Sequence, residues 1–164
     1  MLNNGTNYPN KRNNRQQGIT TSQKNSVSLQ QKNLGIGCFK CYDWAIEQRE
    51  SGNCVISGFH SQIEKDVFHY LAKGNQPIIL ALPRGLKKRW EPELNKLLKT
   101  ERFLVITPFD KSITRITSKT AEIRNRLMLN LADEIIIGYK NPSGTISKLL
   151  TQIEPEKDLY FLQE

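Results

Sequence analysis

Short apolar segments alternate with helical segments along the chain, and this alternation constrains the fold more than any other feature. The apolar segments have the length and composition of strands covered on both faces. They are CVIS (54–57), IILAL (78–82), FLVIT (103–107) and IIIG (135–138), with LYFL (159–162) as a candidate last strand. Helices are predicted at 39–50, 61–73, 91–99, 118–131 and 143–152. The alternation predicts an α/β fold in which helices cover both faces of a mainly parallel sheet.

The predicted helix 118–131 combines an apolar stripe with charged residues. Ile123, Leu127 and Leu131 repeat every four residues and therefore predict its buried face. Arg124 lies about 100° around the helix from Ile123, so it borders that face. A charge is costly in such a place unless another group meets it. The sequence therefore predicts a partner or a ligand for Arg124.

Charge and polarity divide the chain into regions. Residues 1–33 hold five Lys or Arg, no acid and few apolar side chains, and we expect a mostly disordered basic leader with a weak strand signal at 26–29. Residues 34–153 are the predicted folded domain, followed by a tail at 154–164. Within the domain, residues 84–126 hold twelve Lys or Arg against five acids. This surplus indicates either an ordinary basic surface or a patch that attracts a polyanion.

Several classes of protein are not indicated by the sequence. A run of about 18 apolar residues is missing, so neither a membrane span nor a membrane partner is predicted. Three cysteines and an N-terminus without an apolar core segment favour a reducing, cytoplasmic setting. Cys38 and Cys41 form a Cys-x-x-Cys pair without a second pair to complete a zinc site. We therefore predict no metal site, no cofactor and no catalytic residue.

Ligands of parallel α/β sheets bind beyond the carboxyl ends of the strands. Ser57 ends the first apolar strand, and Gly58 and His60 follow it. Ser61 and Glu64 form a capping box that begins the next helix. Gly58 permits a tight turn or a close approach to a ligand, and the free amides of the helix start favour phosphate. His60 is interpreted as a turn histidine that donates to the backbone or to phosphate. An ordinary strand-to-helix turn is the alternative.

A basic segment, PRGLKKRW (83–90), follows the second apolar strand. Arg84, Lys87 and Lys88 can contact phosphate, and Gly85 permits a close backbone approach. Trp90 offers a face for a base, or packs in the core. A phosphate site and a solvated basic loop are both consistent with this pattern.

Two further sets of polar residues are predicted at the same edge of the sheet, and the coincidence favours an anion site. One set lies within the predicted helix 118–131 and includes its buried-edge arginine. The other set lies at the turn after the strand 135–138. The residues are Arg124, Asn125 and Arg126 in the first set, and Ser143, Gly144 and Thr145 in the second.

The order and spacing of these motifs resemble the DNA-processing protein A family (DprA, also called Smf) over roughly 39–150. The resemblance is carried by VISGFHSQIEKD, IILALPRGL, WEPEL, RNRLMLNLADEIIIG and NPSGTISKLL. It implies a Rossmann-like three-layer α/β/α fold and a non-enzymatic protein that binds single-stranded DNA. It also implies a role in natural transformation and recombination, with RecA and a second copy of the chain as candidate partners. Arg124, Asn125 and Arg126 would then line a phosphate-binding pocket.

The chain departs from the family pattern at several positions. The family's first strand ends in Gly-Ser-Arg, whereas the corresponding segment here reads SVSLQQKNLGIG, and Gln62 and Glu64 replace a Gly and an Asp. The alternative is a nucleotide-binding sensor or a phosphoribohydrolase-like enzyme of the related Lonely-guy-like superfamily. Lys148 stands where that chemistry expects an acid, which removes the usual general acid or base.

Overall fold

The computed structural model of the chain describes residues 24–28, 37–138, 145–152 and 157–162. The side chains of 24–28, 37, 38 and 145 are not described. The described residues form a six-stranded parallel sheet with helices on both faces, which confirms the predicted α/β fold. The elements are β1 Lys24–Ser28, α1 Gly37–Ser51, β2 Cys54–Ser57, α2 Gln62–Ala72, β3 Ile78–Ala81, α3 Pro92–Leu98, β4 Phe103–Ile106, α4 Ser118–Leu131, β5 Glu134–Ile137, α5 Thr145–Leu150 and β6 Asp158–Phe161.

The strands lie in the order β4-β3-β2-β1-β5-β6, and every neighbouring pair is parallel. The chain moves outward from β1 to β4, and then returns to the other side of β1 to form β5 and β6. Because all strands point the same way, the segments that follow them emerge at one edge of the sheet. Sites in such folds lie at this edge.

Two apolar layers enclose the sheet, as expected for a three-layer fold. The first layer joins α1 and α2 to one face, through Trp44, Val67 and Leu71 among others, and α3 packs against it. The second layer joins α4 and α5 to the opposite face, through Met128 and Leu149 among others. None of the helices in the described part of the chain is both long enough and apolar enough to cross a membrane.

The first strand lies within residues 1–33, for which the sequence predicted a mostly disordered leader with a weak strand signal at 26–29. Lys24–Ser28 form β1 in the middle of the sheet, where Ser26 is in register with Ile56 of β2 and with Ile135 of β5. The sequence prediction relied on apolar side chains, of which this segment has few. The segment is instead held in the sheet by backbone pairing with β2 and β5. The sheet also extends past the predicted end of the domain, because β6 pairs with β5. The rest of the leader and Leu29 lie outside the described residues.

The buried face of α4 also differs from the prediction. Ile123 is 37% exposed and Leu131 is 40% exposed, whereas Arg124 is 8% exposed and Met128 only 2%. The helix is therefore rotated so that Arg124 lies on the buried face itself. The four-residue repeat was misleading because a guanidinium with hydrogen-bond partners occupies the buried face, whereas the apolar pattern placed it only at the border of that face.

Lys157 ties the last strand to the end of α4. Its Nζ donates to the carbonyl oxygens of Leu129 at 2.7 Å, Asn130 at 2.8 Å and Ala132 at 2.9 Å. The final carbonyls of a helix have no partner within the helix and carry partial negative charge. The ammonium group therefore caps α4 and fixes the approach to β6.

We predict that Lys157→Met lowers the free energy of unfolding by about 1 kcal/mol, because the carbonyls lose a charged donor that is partly screened by solvent. The melting temperature should fall by about 2–4 °C. Lys148→Met, which changes an exposed lysine of α5, is the matched control. Equal melting temperatures for Lys157→Met and the wild type would contradict the cap.

Candidate functional site

A cleft of about 420 Å³ lies beyond the carboxyl ends of β2 and β3. It is bounded by the segment that follows β2, the segment that follows β3, and the beginning of α3, with side chains from α2 and α4. Its size is that of a small-molecule site. The lining residues are Gly58, Phe59, His60, Lys65, Phe68, Leu80, Leu82, Pro83, Arg84, Lys87, Trp90, Glu91, Glu93, Leu94, Ile116 and Arg124.

Arg124 reaches the cleft from the buried face of α4. Its Nη1 donates to the carbonyl oxygen of Ala81 at 3.2 Å, and its Nε donates to Oδ1 of Asn125 at 2.8 Å. A guanidinium has five donor hydrogens. Two of them have these partners, and the others have none among the described residues. Arg124 is thus a nearly buried cation at the wall of a cleft, with hydrogen-bond donors that no described residue uses.

Burial lowers the pKa of Arg124, and the carboxylate of Glu64 opposes that shift. Arginine remains protonated in spite of such shifts, because its ordinary pKa is far above neutral. The cleft therefore carries a fixed positive charge. A phosphate bound there would replace part of the hydration that burial removes.

Gly58 is required by the position of this guanidinium. A Cβ at residue 58 would meet three guanidinium atoms of Arg124, with Nη1 at 1.7 Å and Cζ at 2.6 Å. The backbone just after β2 and the side chain of Arg124 from α4 therefore approach each other more closely than any other residue type at 58 would allow.

Glu64 holds the segment between β2 and α2 in place. Its carboxylate accepts hydrogen bonds from Ser57 Oγ at 3.2 Å, His60 N at 3.1 Å and Ser61 N at 2.7 Å. Ser61 Oγ in turn accepts from Glu64 N, which completes the predicted capping box. With 7% exposure, Glu64 places a buried negative charge near the positive charge of Arg124.

Phe59 has a backbone conformation that is unusual for its residue type. Its φ is 44°, in the left-handed region that favours glycine. Its ring lies 4.9 Å from that of Phe68, which lies 5.9 Å from Phe103 of the core. The strained turn therefore brings an aromatic ring to the wall of the cleft, on a support of further rings.

The basic segment after β3 is anchored by its backbone. The carbonyl of Arg84 accepts a hydrogen bond from Thr107 Oγ1 at 2.6 Å, and Gly85 N donates to the carbonyl of Ile113 at 2.8 Å. Added to Gly85, a Cβ would lie 2.3 Å from the carbonyl oxygen of Asp110. Gly85 thus allows the connection after β4 to pack closely against this segment. The close approach that was predicted for a ligand is made by the protein's own backbone.

Lys87 and Glu91 form a local pair beside Trp90. Nζ of Lys87 lies 3.2 Å from the Glu91 carboxylate and 5.4 Å from the centroid of the Trp90 ring. A hydrogen bond from its own backbone and another from Lys87 lower the pKa of Glu91, helped by the charge of Arg84. The charge of Lys87 is therefore largely compensated, whereas those of Lys65 and Arg84 have no ion-pair partner among the described residues.

The structure brings together most of the predicted site residues from three segments. Gly58, His60, Arg84, Lys87 and Arg124 line the cleft. Ser57 is buried beneath it, and Gly85 and Asn125 support its walls.

Other predicted residues lie elsewhere or cannot be placed. Lys88 is exposed and does not line the cleft. Arg126 points away, to Glu122 at 2.9 Å and Gln152 at 2.7 Å. Thr145 begins α5, but its side chain is not described. Ser143 and Gly144 lie outside the described residues.

Sequence reasoning missed several residues of the cleft, among them Phe59, Lys65, Phe68 and Ile116. Phe59 could have been suspected because it follows Gly58 directly. Ile116 belongs to the long connection after β4 and carries no signal of its own. Within the described ranges, no cluster of three or more His, Cys, Asp or Glu is suited to hold a metal ion.

Solved structures with a similar fold include two DNA processing proteins A. No protein-family model matches the chain, and no curated protein matches it in sequence. The structure of DprA from Helicobacter pylori, which concerns its single-stranded DNA binding mode, superposes with a TM-score of 0.66 at 16% identity. DprA from Streptococcus pneumoniae gives 0.64 at 16% identity. The matches cover 86% and 85% of this chain, but it spans only 65% and 50% of those proteins.

Two molybdenum-cofactor proteins share the fold more distantly. The molybdenum cofactor binding protein of Rippkaea orientalis has a TM-score of 0.60 at 12% identity, and the match covers 87% of this chain and 77% of that protein. The Moco carrier protein of Chlamydomonas reinhardtii has 0.53 at 10% identity, with 86% and 76% covered. Such identities establish architecture alone. The chain has a DprA-like Rossmann-like fold, so the resemblance found in the motifs is confirmed at that level.

We predict that Gly58→Ala lowers the free energy of unfolding by about 1–2 kcal/mol, because the new methyl displaces the Arg124 guanidinium and breaks its bond to Ala81. Chemical denaturation should show a much smaller cost of Gly58→Ala in an Arg124→Ala background, where the conflict is removed. Equal costs in both backgrounds would show that Arg124 does not lie over residue 58.

We further predict that Phe59→Gly is more stable than Phe59→Ala by about 1 kcal/mol, because a left-handed backbone costs about that much for a residue with a Cβ. In an ordinary helix or strand alanine is the better of the two by about 0.5–1 kcal/mol. Both variants lose the same ring, so the comparison isolates the backbone. A higher melting temperature for Phe59→Ala would contradict the left-handed turn.

Proposed function

We propose that this chain is a DprA-like, non-enzymatic protein that binds single-stranded DNA, and that the cleft holds the DNA backbone. The observation that carries the proposal is Arg124, a nearly buried cation whose remaining donors have no described partner and which lines the cleft. A guanidinium offers parallel donors that match the oxygens of a phosphate group. Lys65 and Arg84 line the same cleft and add positive charge.

The charge outside the cleft supports a polymer as the ligand. Exposed cations follow in the same part of the chain, on the segment after β3, on the connection after β4 and at the start of α4. They are Lys88, Arg89, Lys111, Arg115 and Lys119. A single phosphate uses few of these charges, whereas a strand that extends from the cleft can contact several and release counterions at each.

The cellular role follows from the family resemblance and belongs to the same proposal. We place the protein in the cytoplasm, in DNA uptake during natural transformation and in recombination, with RecA as the recipient of the bound strand. A homodimer is proposed on the same ground. The DprA-like fold and the exposed basic surface support these assignments.

A free nucleotide is the second candidate ligand, and the cleft itself favours it. A volume of about 420 Å³ with aromatic walls suits one small molecule, and two structural neighbours are named for binding or carrying a molybdenum cofactor. A nucleotide sensor would use the same cations. A phosphoribohydrolase is less well supported, because exposed Lys148 stands where the acid is expected.

The strand proposal predicts binding of an oligonucleotide such as dT20 that weakens with salt, with a log–log slope of about −2 if three phosphates are contacted at about −0.7 each. Fluorescence anisotropy at several salt concentrations measures the slope. A deoxynucleoside monophosphate is titrated in parallel as a competitor. Tight binding of the monophosphate with no binding of dT20 would favour the sensor and contradict the strand proposal.

Arg124→Lys loses the two-donor fork and holds its charge less firmly at this buried position, so we predict that it weakens dT20 binding about tenfold, or 1.4 kcal/mol. Arg84→Ala should have an effect of similar size. Arg49→Ala removes an arginine from the last turn of α1, at the opposite edge of the sheet, and should change little.

Removal of residues 1–20 tests the basic leader without touching β1. It should cost less than Arg124→Lys, because contacts of scattered charges are loose and screened. If the pocket variants bind normally and the truncated chain does not, DNA is held by the leader and the cleft is not the site.

A further inference from the structure

The two faces of the sheet are covered unequally. In the described part of the chain, α1, α2 and α3 pack on the first face, whereas α4 and α5 alone pack on the second. Six strands at the usual spacing of about 4.8 Å make a sheet about 29 Å wide, and two helices of about 10 Å diameter cover about 20 Å of it. The second face therefore lacks cover by about the width of one helix.

The uncovered part of the second face lies over β4. Ile79 of β3 belongs to the second apolar layer and is 5% exposed, whereas Leu104, its register partner on β4, is 43% exposed. Ile106 lies two residues further along β4, on the same face, and is half-buried. Phe103 points to the first face and is buried in the first layer. The edge strand β4 is thus well covered on one face only.

The flank of α4 beside this uncovered strand is also apolar. Arg126 marks the flank next to α5, because its Nη2 donates to Oε1 of Gln152, just beyond α5, at 2.7 Å. A helix turns about 100° per residue, so Leu127 and Leu131 lie on the other flank, toward β4. Leu131 is 40% exposed and Leu127 is half-buried, and Ile123, one turn earlier, is 37% exposed.

We call the corner between this flank and the edge strand the α4–β4 groove. Its apolar residues are Leu104, Ile106, Ile123, Leu127 and Leu131. The three residues of α4 repeat every four positions, which is the spacing of a ridge that packs against a neighbouring helix. Apolar surface gains free energy when it is covered. The groove therefore fits one amphipathic helix that lies alongside α4.

Positive charge lies at one end of this groove. The connection between β4 and α4 passes this end and carries exposed Lys111 and Arg115 against the single acid Asp110, and exposed Lys119 follows in the first turn of α4. Residues 1–33 contain no acid, and α4 itself holds three cations against one acid. Neither the N-terminal segment nor α4 of a second copy therefore matches this charge, whereas an acidic helix does.

We infer that the α4–β4 groove is a docking site for an acidic amphipathic helix of another protein. The apolar face of that helix packs on the groove residues, and acidic side chains at one end lie near Arg115 and Lys119. The groove is formed by β4 and the outer flank of α4, whereas Arg124 faces the cleft from the buried face of α4. The inference therefore goes beyond strand binding and does not depend on it.

The test uses the full chain and a labelled synthetic peptide of about 18 residues, with leucine along one helical face and glutamate on the other. One control peptide has the same composition in scrambled order, and a second has lysine in place of every glutamate. Fluorescence anisotropy is measured without DNA. The glutamate peptide should bind about tenfold or more tightly than either control, and its affinity should fall with salt.

Variants of the protein locate the site of binding. Leu104→Thr and Leu131→Gln should each weaken binding of the glutamate peptide about fivefold or more, because each removes exposed apolar surface. Leu159→Thr changes a similarly exposed leucine of the opposite edge strand β6 and is the matched control. Arg115→Glu should weaken the glutamate peptide and strengthen the lysine peptide, whereas Lys40→Glu on α1, on the other face, should change neither. Melting curves check that each variant is folded.

Several outcomes would overturn the inference. They are no binding of the glutamate peptide, equal binding of the scrambled or the lysine peptide, and unchanged binding by Leu104→Thr and Leu131→Gln. A dimer of the chain that Leu131→Gln dissociates in sedimentation experiments would show that the groove is an interface between two copies. Because DNA is absent, each of these results leaves the proposed strand binding intact, and a failure of dT20 to bind leaves the groove intact.

Discussion

A positive charge buried at the edge of the sheet determines much of the local structure. Placing the guanidinium of Arg124 out of water is costly, and the chain offsets that cost with the Ala81 carbonyl, Asn125 and the nearby carboxylate of Glu64. Each offset constrains a further residue. Because the guanidinium covers residue 58, that position has no side chain. Glu64 offsets the charge of Arg124 only if it stays close to it. The turn before α2 keeps it there, because its backbone amides donate hydrogen bonds to the Glu64 carboxylate.

The same arrangement explains why an arginine occupies this position. Burial lowers the pKa of any cation, and a lysine in such a place can lose its proton near neutral pH. Arginine retains its charge and distributes it over a planar group, so part of it can bond to the protein while the rest faces the cleft. Arg124 therefore stabilises the wall of the cleft through its hydrogen bonds to Ala81 and Asn125, and it still has donors for a ligand.

The sequence predicted the fold well wherever burial determines structure. The strands β2, β3 and β5 are almost entirely buried, and their apolar composition located them to within a residue. β1 gave only a weak signal at 26–29, because its place depends on pairing with two strands that are distant in sequence. For the site, the rule that parallel strands end at one edge placed Gly58, Arg84 and Arg124 together correctly. It could not find Phe59 or Ile116, since ring orientation and loop path depend on tertiary contacts.

The segment that follows β1 bears on how the site differs from the family pattern. In that pattern the first strand ends in Gly-Ser-Arg, and its arginine contacts phosphate, whereas here LQQKNLGIG follows Ser28. A cleft without that arginine can hold an anionic ligand through cations on other segments and through contacts that are not ionic. Arg84 supplies a cation from the segment after β3, and the aromatic side chains supply apolar surface in the same cleft. Under the proposed strand binding, affinity depends less on salt than in a site built from arginines alone, because apolar contact releases no counterions.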